Sequence, residues 1–173
     1  MMFRTVFSFI LVLLLAGCSP DYNWRQVQVA GGAVTAFFPD KTRTESRNLQ
    51  FDGHDLAFSL TSTSVQDTLF AVGYAPLPGP IQGDATARKA FASAVIASLY
   101  QSLGQQPPST LPALGKPFVI EGESQGRALR LNVAVWLTDQ ALIEGIVTAA
   151  ADAFPQDQAE EFLRGISLAP GLR

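Results

Sequence analysis

Cysteine and histidine are almost absent from this chain, because Cys18 and His54 are the only residues of their kinds among 173. A single cysteine excludes an intramolecular disulfide. The cysteine and histidine ligands of the usual zinc and transition-metal sites are also missing. The calcium-loop pattern Asp-x-Asp-x-Asp-Gly does not occur either, so we expect neither a metal site nor a cofactor.

The chain also lacks an excess of basic residues. It has 12 Lys and Arg against 15 Asp and Glu, for a formal net charge of −3. Nucleic-acid binding requires a dense basic surface that contacts phosphates, so we exclude nucleic acid as a partner. A length of 173 residues fits one domain with a core of normal size.

Long apolar runs are missing except at the N-terminus, where an apolar stretch covers residues 6–16 and follows Arg4. A bilayer-spanning helix needs about 20 apolar residues, so this run is too short to span. A short basic region followed by an apolar run of about a dozen residues is typical of a signal peptide.

The apolar run ends in a pattern that resembles the bacterial lipobox, formed by Leu15, Ala16, Gly17 and Cys18. The resemblance implies that residues 1–17 are cleaved and that Sγ of Cys18 receives a diacylglycerol group. Two or three acyl chains anchor a protein stably, whereas one chain is marginal. Residues 18–23 would then be a lipidated tether and residues 24–173 a single domain. Because Ser19 rather than Asp follows the cysteine, we expect the periplasmic face of the outer membrane, with the inner membrane as the alternative.

From Trp24 onward, apolar and polar residues alternate with a period of two, which predicts β-strands. Turn signals at Gly31-Gly32, Asp52-Gly53 and Gln66-Asp67 separate these strands. The polar stretch at 41–51 predicts a strand near a sheet edge. Between residues 84 and 103 the apolar residues recur every three or four positions, which predicts a helix with Asp84 as its N-cap.

Strands resume after the proline-rich loop, and the strongest of them places Leu129, Leu131, Val133, Val135 and Leu137 on one face. The stretch "ALIEGIVTAA" at 141–150 fits a strand or a helix by pattern alone; we predict a strand because a turn precedes it. A short helix is predicted from residue 155 to about 165. The expected fold is α+β, with a single antiparallel sheet, helices packed on it, and the order strands, helix, strands, helix.

The stretches "YNWRQVQV", "AFFPDK", "FDGHDLAF", "FAVGYA" and "FLRGISL", in this order of elements, resemble small proteobacterial lipoproteins with a PsbP-like (DcrB-type) fold. The resemblance covers about residues 22–168 and implies an αβα sandwich. Members of that fold dock onto partner proteins or support membrane complexes. No functional residue of theirs has a matching motif in this chain, and a fold alone does not determine a function.

The stretch "GESQG" at 122–126 matches the Gly-x-Ser-x-Gly pattern of serine hydrolases, with Ser124 as the nucleophile. A nucleophile elbow needs a strand before the serine and a helix after it. A strand pattern follows Ser124 instead, and the only histidine, His54, lies upstream rather than downstream. We therefore predict a hairpin at Ser124 and a surface position for His54, at the start of a strand.

Glutamates 121, 123 and 144 are candidates for an acid pair, but nothing sets their separation, and glutamates in strands near turns are usually solvated, so we predict solvated side chains. Four residues are candidates for an interaction surface: Trp24, Arg127, Arg130 and Trp136. Tryptophan and arginine are enriched where proteins bind one another. Arg127 and Arg130 fall on opposite faces of one strand, so they do not form a patch by themselves.

We expect a lipid-anchored, periplasmic binding or scaffold protein without catalytic activity, docked onto another envelope protein. The alternative is a binder of a small apolar or lipidic ligand between sheet and helix, indicated by the small residues of "AFASAVIAS" at 90–98. Small residues in that position also occur wherever a helix packs closely on a sheet. A serine hydrolase that uses Ser124 is the third and weakest hypothesis.

Overall fold

The computed structural model describes residues 22–172, so the predicted signal peptide, the lipobox and Cys18 lie outside the described residues. The strands are β1 Arg25–Val29, β2 Val34–Phe38, β3 Arg43–Phe51, β4 His54–Val65, β5 Thr68–Pro76, β6 Phe118–Ser124, β7 Arg127–Leu137, β8 Ala141–Ala150 and β9 Ser167–Leu168. The α-helices are α1 Gly79–Gln82, α2 Ala85–Ser102 and α3 Gln156–Arg164. Short 3₁₀ turns occupy Ala30–Gly32, Ala151–Ala153 and Pro170–Leu172.

The strands form two antiparallel sheets rather than one. The larger sheet has six strands in the order β3-β4-β5-β8-β7-β6, and the smaller has three in the order β1-β2-β9. Strands account for 46% of the structure and helices for 26%. The predicted α+β fold with a single sheet covered by helices is therefore wrong, since the protein is mostly β and has two sheets.

The second sheet arises because the β1–β2 hairpin packs against a face of the large sheet instead of pairing with its edge. Val29, Val34, Ala36 and Phe38 of this hairpin are buried in one core with Phe70 of β5. Alternation along the strands predicts which residues are buried, but it does not distinguish edge pairing from face packing. The sequence pattern was therefore compatible with one sheet or with two.

Each face of the six-stranded sheet has its own core. On the first face, α2 packs Phe91, Val95 and Ile96 against Leu131 and Val133 of β7. On the opposite face, the small sheet and α3 pack against residues such as Phe70 and Ile143. Within the described part of the chain, no helix is long and apolar enough to cross a membrane.

The local predictions are confirmed at the turns and at the long helix. The hairpins β3–β4, β4–β5 and β6–β7 each turn through two residues with positive φ, at 52–53, 66–67 and 125–126. This is the conformation of type I′ hairpins, whose twist matches that of the strands they connect. Asp84 caps α2 by accepting hydrogen bonds from the backbone N–H groups of Thr86 and Ala87, at 2.8 and 3.0 Å. The stretch 141–150 is a strand, and β3 lies at a sheet edge, as predicted.

Candidate functional site

Glu144 lies in the middle of β8, where it is the only charged residue of a mainly apolar strand. In the strand register it stands between Gly73 of β5 and Val135 of β7. Its chain neighbours Ile143 and Gly145 point to the opposite face of the sheet, so Glu144 points toward α2. Only 8% of Glu144 is exposed, which means that the fold buries a carboxyl group near the centre of the sheet.

Gly73 provides the space that this carboxyl group occupies. A Cβ atom at residue 73 would lie 3.2 Å from Oε2 of Glu144 and 3.0 Å from Cζ of Phe58. Both distances are shorter than ordinary van der Waals contacts between carbon and its neighbours. A glycine inside a strand often marks such a close approach, and here its missing side chain admits both the carboxyl group and the phenyl ring.

A cavity of about 180 Å³, half open to solvent, lies beside the carboxyl group, between α2 and strands β3, β4, β5 and β8. Among the described residues that line it, only Glu144 and Ser98 are polar. The cavity is lined by Leu49, Phe51, Leu56, Phe58, Ala75, Phe91, Val95, Ser98, Leu99, Leu142 and Glu144. An apolar cavity of about 150 Å³ holds a benzene molecule, so this cavity has room for a group of that size.

The buried carboxyl group of Glu144 has no hydrogen-bond or ion-pair partner among residues 22–172. Burial without a partner penalises the charged form and raises the pKa of Glu144 from 4.5 to about 7. The group therefore carries a proton in mildly acidic solution and ionises near neutral pH. Ionisation places an unpaired negative charge on the wall of an apolar cavity.

Charged residues on neighbouring strands do not neutralise this carboxylate. Arg43, Glu45 and Arg47 share its side of the sheet but lie on the exposed edge strand β3. Three strand spacings separate β3 from β8, which is about 14 Å. Arg43 forms its ion pair with Glu45, at 3.4 Å between Nε and Oε1.

A second, larger cleft of about 590 Å³ lies on the opposite face of the sheet, beside Trp136 and between β6, β7 and α3. Its charged lining residues, Lys116, Glu160 and Arg164, are all exposed to solvent. Solvated charges cost the fold little, whereas a buried unpaired one opposes folding. Two amide oxygens on the wall of this cleft, those of Asn132 and Gln156, are buried without a partner in the described part of the chain, but a neutral amide costs less to bury than a charge. The smaller cavity with Glu144 is therefore the stronger candidate for a functional site.

The four residues predicted as an interaction surface do not come together. Trp24 packs against Phe70 in the core between the sheets, with ring centroids 6.2 Å apart. Arg127 is exposed beside the β6–β7 hairpin. Arg130 and Trp136 share one face of β7 but are six residues apart along the strand, which is about 20 Å.

Ser124 and His54 are also separated. Ser124 ends β6 and precedes the hairpin turn, so the strand–turn–helix geometry of a nucleophile elbow is not formed. His54 begins β4, with its ring 6.2 Å from that of Phe91. Four strand spacings separate β4 from β6, which corresponds to about 19 Å.

The prediction that Glu144 is solvated was wrong, whereas Glu121 and Glu123 are exposed as predicted. Two features of the sequence indicated that Glu144 is buried. One is a lone glutamate in the interior of the apolar strand "ALIEGIV", and the other is the isolated glycine of "FAVGYA". The pairing of β5 with β8, which sets Gly73 opposite Glu144, could not be read from either strand alone.

Searches against family models, curated proteins and solved structures found no match to this chain. The resemblance to PsbP-like lipoproteins therefore stays a prediction. In the part of the chain that the structure describes, no three His, Cys, Asp or Glu side chains are grouped so as to hold a metal ion. The function of the site is therefore inferred from its own geometry.

Proposed function

We propose that this protein is a lipid-anchored protein of the bacterial envelope that binds a small, mainly apolar ligand between α2 and the six-stranded sheet. The observation that carries the proposal is the buried, unpaired carboxyl group of Glu144 on the wall of an apolar cavity. Ligand sites are typically apolar cavities with a few polar groups that orient the ligand. This cavity has that composition, and its volume of about 180 Å³ is smaller than that of a typical drug-sized site, so it admits only a small ligand.

The free-energy cost of Glu144 supports a functional role. A pKa raised from 4.5 to about 7 means that ionised Glu144 opposes folding by about 3 kcal/mol. An apolar residue or a glutamine would avoid that cost at the same position. Buried ionisable groups with shifted pKa values cluster at functional sites, where the shift serves binding or chemistry.

Binding without catalysis is the function that the cavity walls support. Apart from Glu144, the only polar side chain that lines the cavity is that of Ser98. The hydroxyl group of Ser98 donates to the carbonyl oxygen of Val95 at 2.7 Å, within its own helix. One carboxyl group can hold and orient a ligand, and among the described residues that line the cavity none is a nucleophile activated by a neighbouring base.

The lipobox at Leu15–Cys18 supports attachment to a membrane, and Ser19 supports the periplasmic face of the outer membrane. A scaffold function remains the broader form of the proposal. The separation of Trp24, Arg127, Arg130 and Trp136 gives it no defined surface, and we therefore favour ligand binding.

Replacing Ser98 with leucine tests the pocket, because the larger side chain fills the cavity. We expect Ser98→Leu to weaken binding of benzyl alcohol at least tenfold. The measurement is a titration of the full-length, lipidated protein in nanodiscs, followed by the methyl NMR signals of pocket residues such as Val95, Leu99 and Leu142.

Ser102→Leu is the matched control, because Ser102 makes the same 2.7 Å hydroxyl-to-carbonyl bond, to Leu99, on the exposed side of α2. It should bind benzyl alcohol within about twofold of the unchanged protein. The proposal fails if neither benzyl alcohol nor its amine analogue benzylamine shifts the pocket methyl signals, or if Ser98→Leu binds benzyl alcohol as well as Ser102→Leu does.

The membrane anchor is tested at Cys18. We expect Cys18→Ala to abolish incorporation of a fatty-acid probe in cells, because the diacylglycerol group is attached through the thiol. Ser19→Ala, a change of similar size beside it, should retain the label. Labelling of Cys18→Ala would show that the protein is not lipidated at this cysteine.

A further inference from the structure

We propose that the ligand of this pocket is an organic cation: a small aromatic or alkyl group that carries a protonated or quaternary amine paired with Glu144. This inference rests on the proposed function and specifies the class of its ligand. It follows from the charge of the cavity, its aromatic walls and its size.

The charge of the cavity favours a cationic ligand. Glu144 is the only ionisable residue that lines the cavity, and no cationic side chain of the described chain pairs with it. A carboxylate in an apolar environment is stabilised most by a cation that enters the same environment. A ligand amine would supply that charge, whereas a carboxylate ligand would add a second negative charge.

The aromatic wall of the cavity also favours a cation. Phe51, Phe58 and Phe91 all line the cavity, and the rings of Phe51 and Phe91 meet edge to face with centroids 5.6 Å apart. The negative face of an aromatic ring attracts a cation within about 6 Å, and this attraction grows when water is excluded. Ammonium-binding sites in proteins commonly combine several aromatic rings with a carboxylate for this reason.

The volume of the cavity limits the size of the ligand. The cavity of about 180 Å³ admits a group somewhat larger than benzene, which itself occupies an apolar cavity of about 150 Å³. A single ring or short alkyl chain with one amine fits this space. Ser98 offers no competing donor that points at the carboxylate, because its hydroxyl group donates to Val95.

Other charged groups lie on the elements that pack around Glu144. On β3 these are Arg43, Glu45 and Arg47, which are exposed. At the start of α2, Arg88 pairs with Asp139 at 2.9 Å, and Lys89 is exposed.

On β4, Asp55 is exposed, while His54 contacts Phe91 of the cavity wall. His54 is therefore the one residue that needs its own control. The variant His54→Gln removes the imidazole and leaves Glu144 in place.

The experiment compares benzylamine with benzyl alcohol, which have nearly the same shape and differ in charge. The alkyl amine of lysine has a pKa of about 10.4, well above the pH range used here. Benzylamine is therefore charged at both pH 5 and pH 8. Titrations use the full-length, lipidated protein in nanodiscs, with the same methyl signals as before. The variants are Glu144→Gln and His54→Gln.

We expect benzylamine to bind at least tenfold more tightly than benzyl alcohol at pH 8. At pH 5 the affinity for benzylamine should fall by up to about a hundredfold, because the amine must then displace the proton of Glu144. Glu144→Gln should bind benzylamine no more tightly than benzyl alcohol, and His54→Gln should keep the preference.

Two results would overturn the inference, and they can be told apart. If benzyl alcohol binds and benzylamine binds no better at pH 8, the pocket is a ligand site but its ligand is not a cation. If neither molecule binds, the proposed function fails together with the inference. A preference for benzylamine that survives in Glu144→Gln would place the cation elsewhere and also overturn it.

Discussion

Replacing Glu144 with glutamine is expected to raise the free energy of unfolding by about 3 kcal/mol at pH 8 and to leave it nearly unchanged at pH 4. The pKa of Glu144 is raised from 4.5 to about 7 by burial, and each unit corresponds to about 1.4 kcal/mol. Glutamine keeps the size of the side chain and removes its ionisation. The variant therefore isolates the cost of the charge.

The sign follows from the two protonation states. Below pH 4.5 the carboxyl group is protonated in both the folded and the unfolded chain, so it imposes no charge penalty. As the pH rises toward 7, the unfolded chain ionises while folded Glu144 keeps its proton, and the unchanged protein loses stability. Above pH 7 the full penalty is present.

Urea denaturation of the full chain at pH 4, 6 and 8 measures this effect. The matched control is Glu123→Gln, the same change at an exposed strand position, which should alter stability by no more than about 0.5 kcal/mol at each pH. Parallel stability curves for the unchanged protein and Glu144→Gln would show that Glu144 does not retain its proton in the fold.

Gly122→Ala is expected to destabilise the protein by about 3 kcal/mol or more, since the new methyl group meets backbone rather than a flexible side chain. A Cβ atom at residue 122 would overlap the carbonyl oxygen of Leu103 and lie 2.9 Å from its Cβ. That carbonyl accepts a hydrogen bond from the backbone N–H of Glu123, at 3.1 Å. The end of α2 is thus attached to β6 at the residue where the methyl group would intrude.

Two other glycines calibrate this expectation. Gly83→Ala should be nearly neutral, because no atom lies within 4 Å of its Cβ position and φ is −80°. Gly145→Ala should have an intermediate cost, because its nearest contact is the end of the Ile166 side chain, which can rotate. Urea denaturation should give the order Gly122, Gly145, Gly83 in decreasing cost. A Gly122→Ala protein as stable as Gly83→Ala would show that α2 does not pack on β6 in this way.

Local structure was predictable because its causes are local. Two-residue turns such as Asp52-Gly53 determine hairpins by their own backbone preferences, and Asp84 determines the start of α2 by capping it. The division into two sheets was not predictable in this way. It depends on whether the apolar side of the β1–β2 hairpin finds a sheet edge or a sheet face, and the alternation of apolar and polar residues along the strands is the same in both cases.

The candidate site was predictable only in part. The alternative of a ligand between helix and sheet pointed to the same region as the candidate site, but it was based on the small residues of α2 rather than on Glu144, and it stays a prediction. The site itself is formed by β5, β8 and α2, because Gly73, Glu144 and Phe91 come from segments that are far apart in the chain. Rules for single strands treat a glutamate near a turn as solvated, and they fail where the opposite strand supplies a glycine.

The most direct test of the account is a ¹³C NMR titration of the Glu144 carboxyl carbon, assigned by its loss in Glu144→Gln, with and without saturating benzylamine. Without ligand, the account predicts a pKa of about 7 for Glu144. With benzylamine bound, it predicts a clearly lower pKa, because the ligand cation stabilises the carboxylate. Two results would contradict the central claim that this buried carboxyl group binds a cationic ligand. One is a pKa near the ordinary value for glutamate, and the other is a pKa that benzylamine does not change.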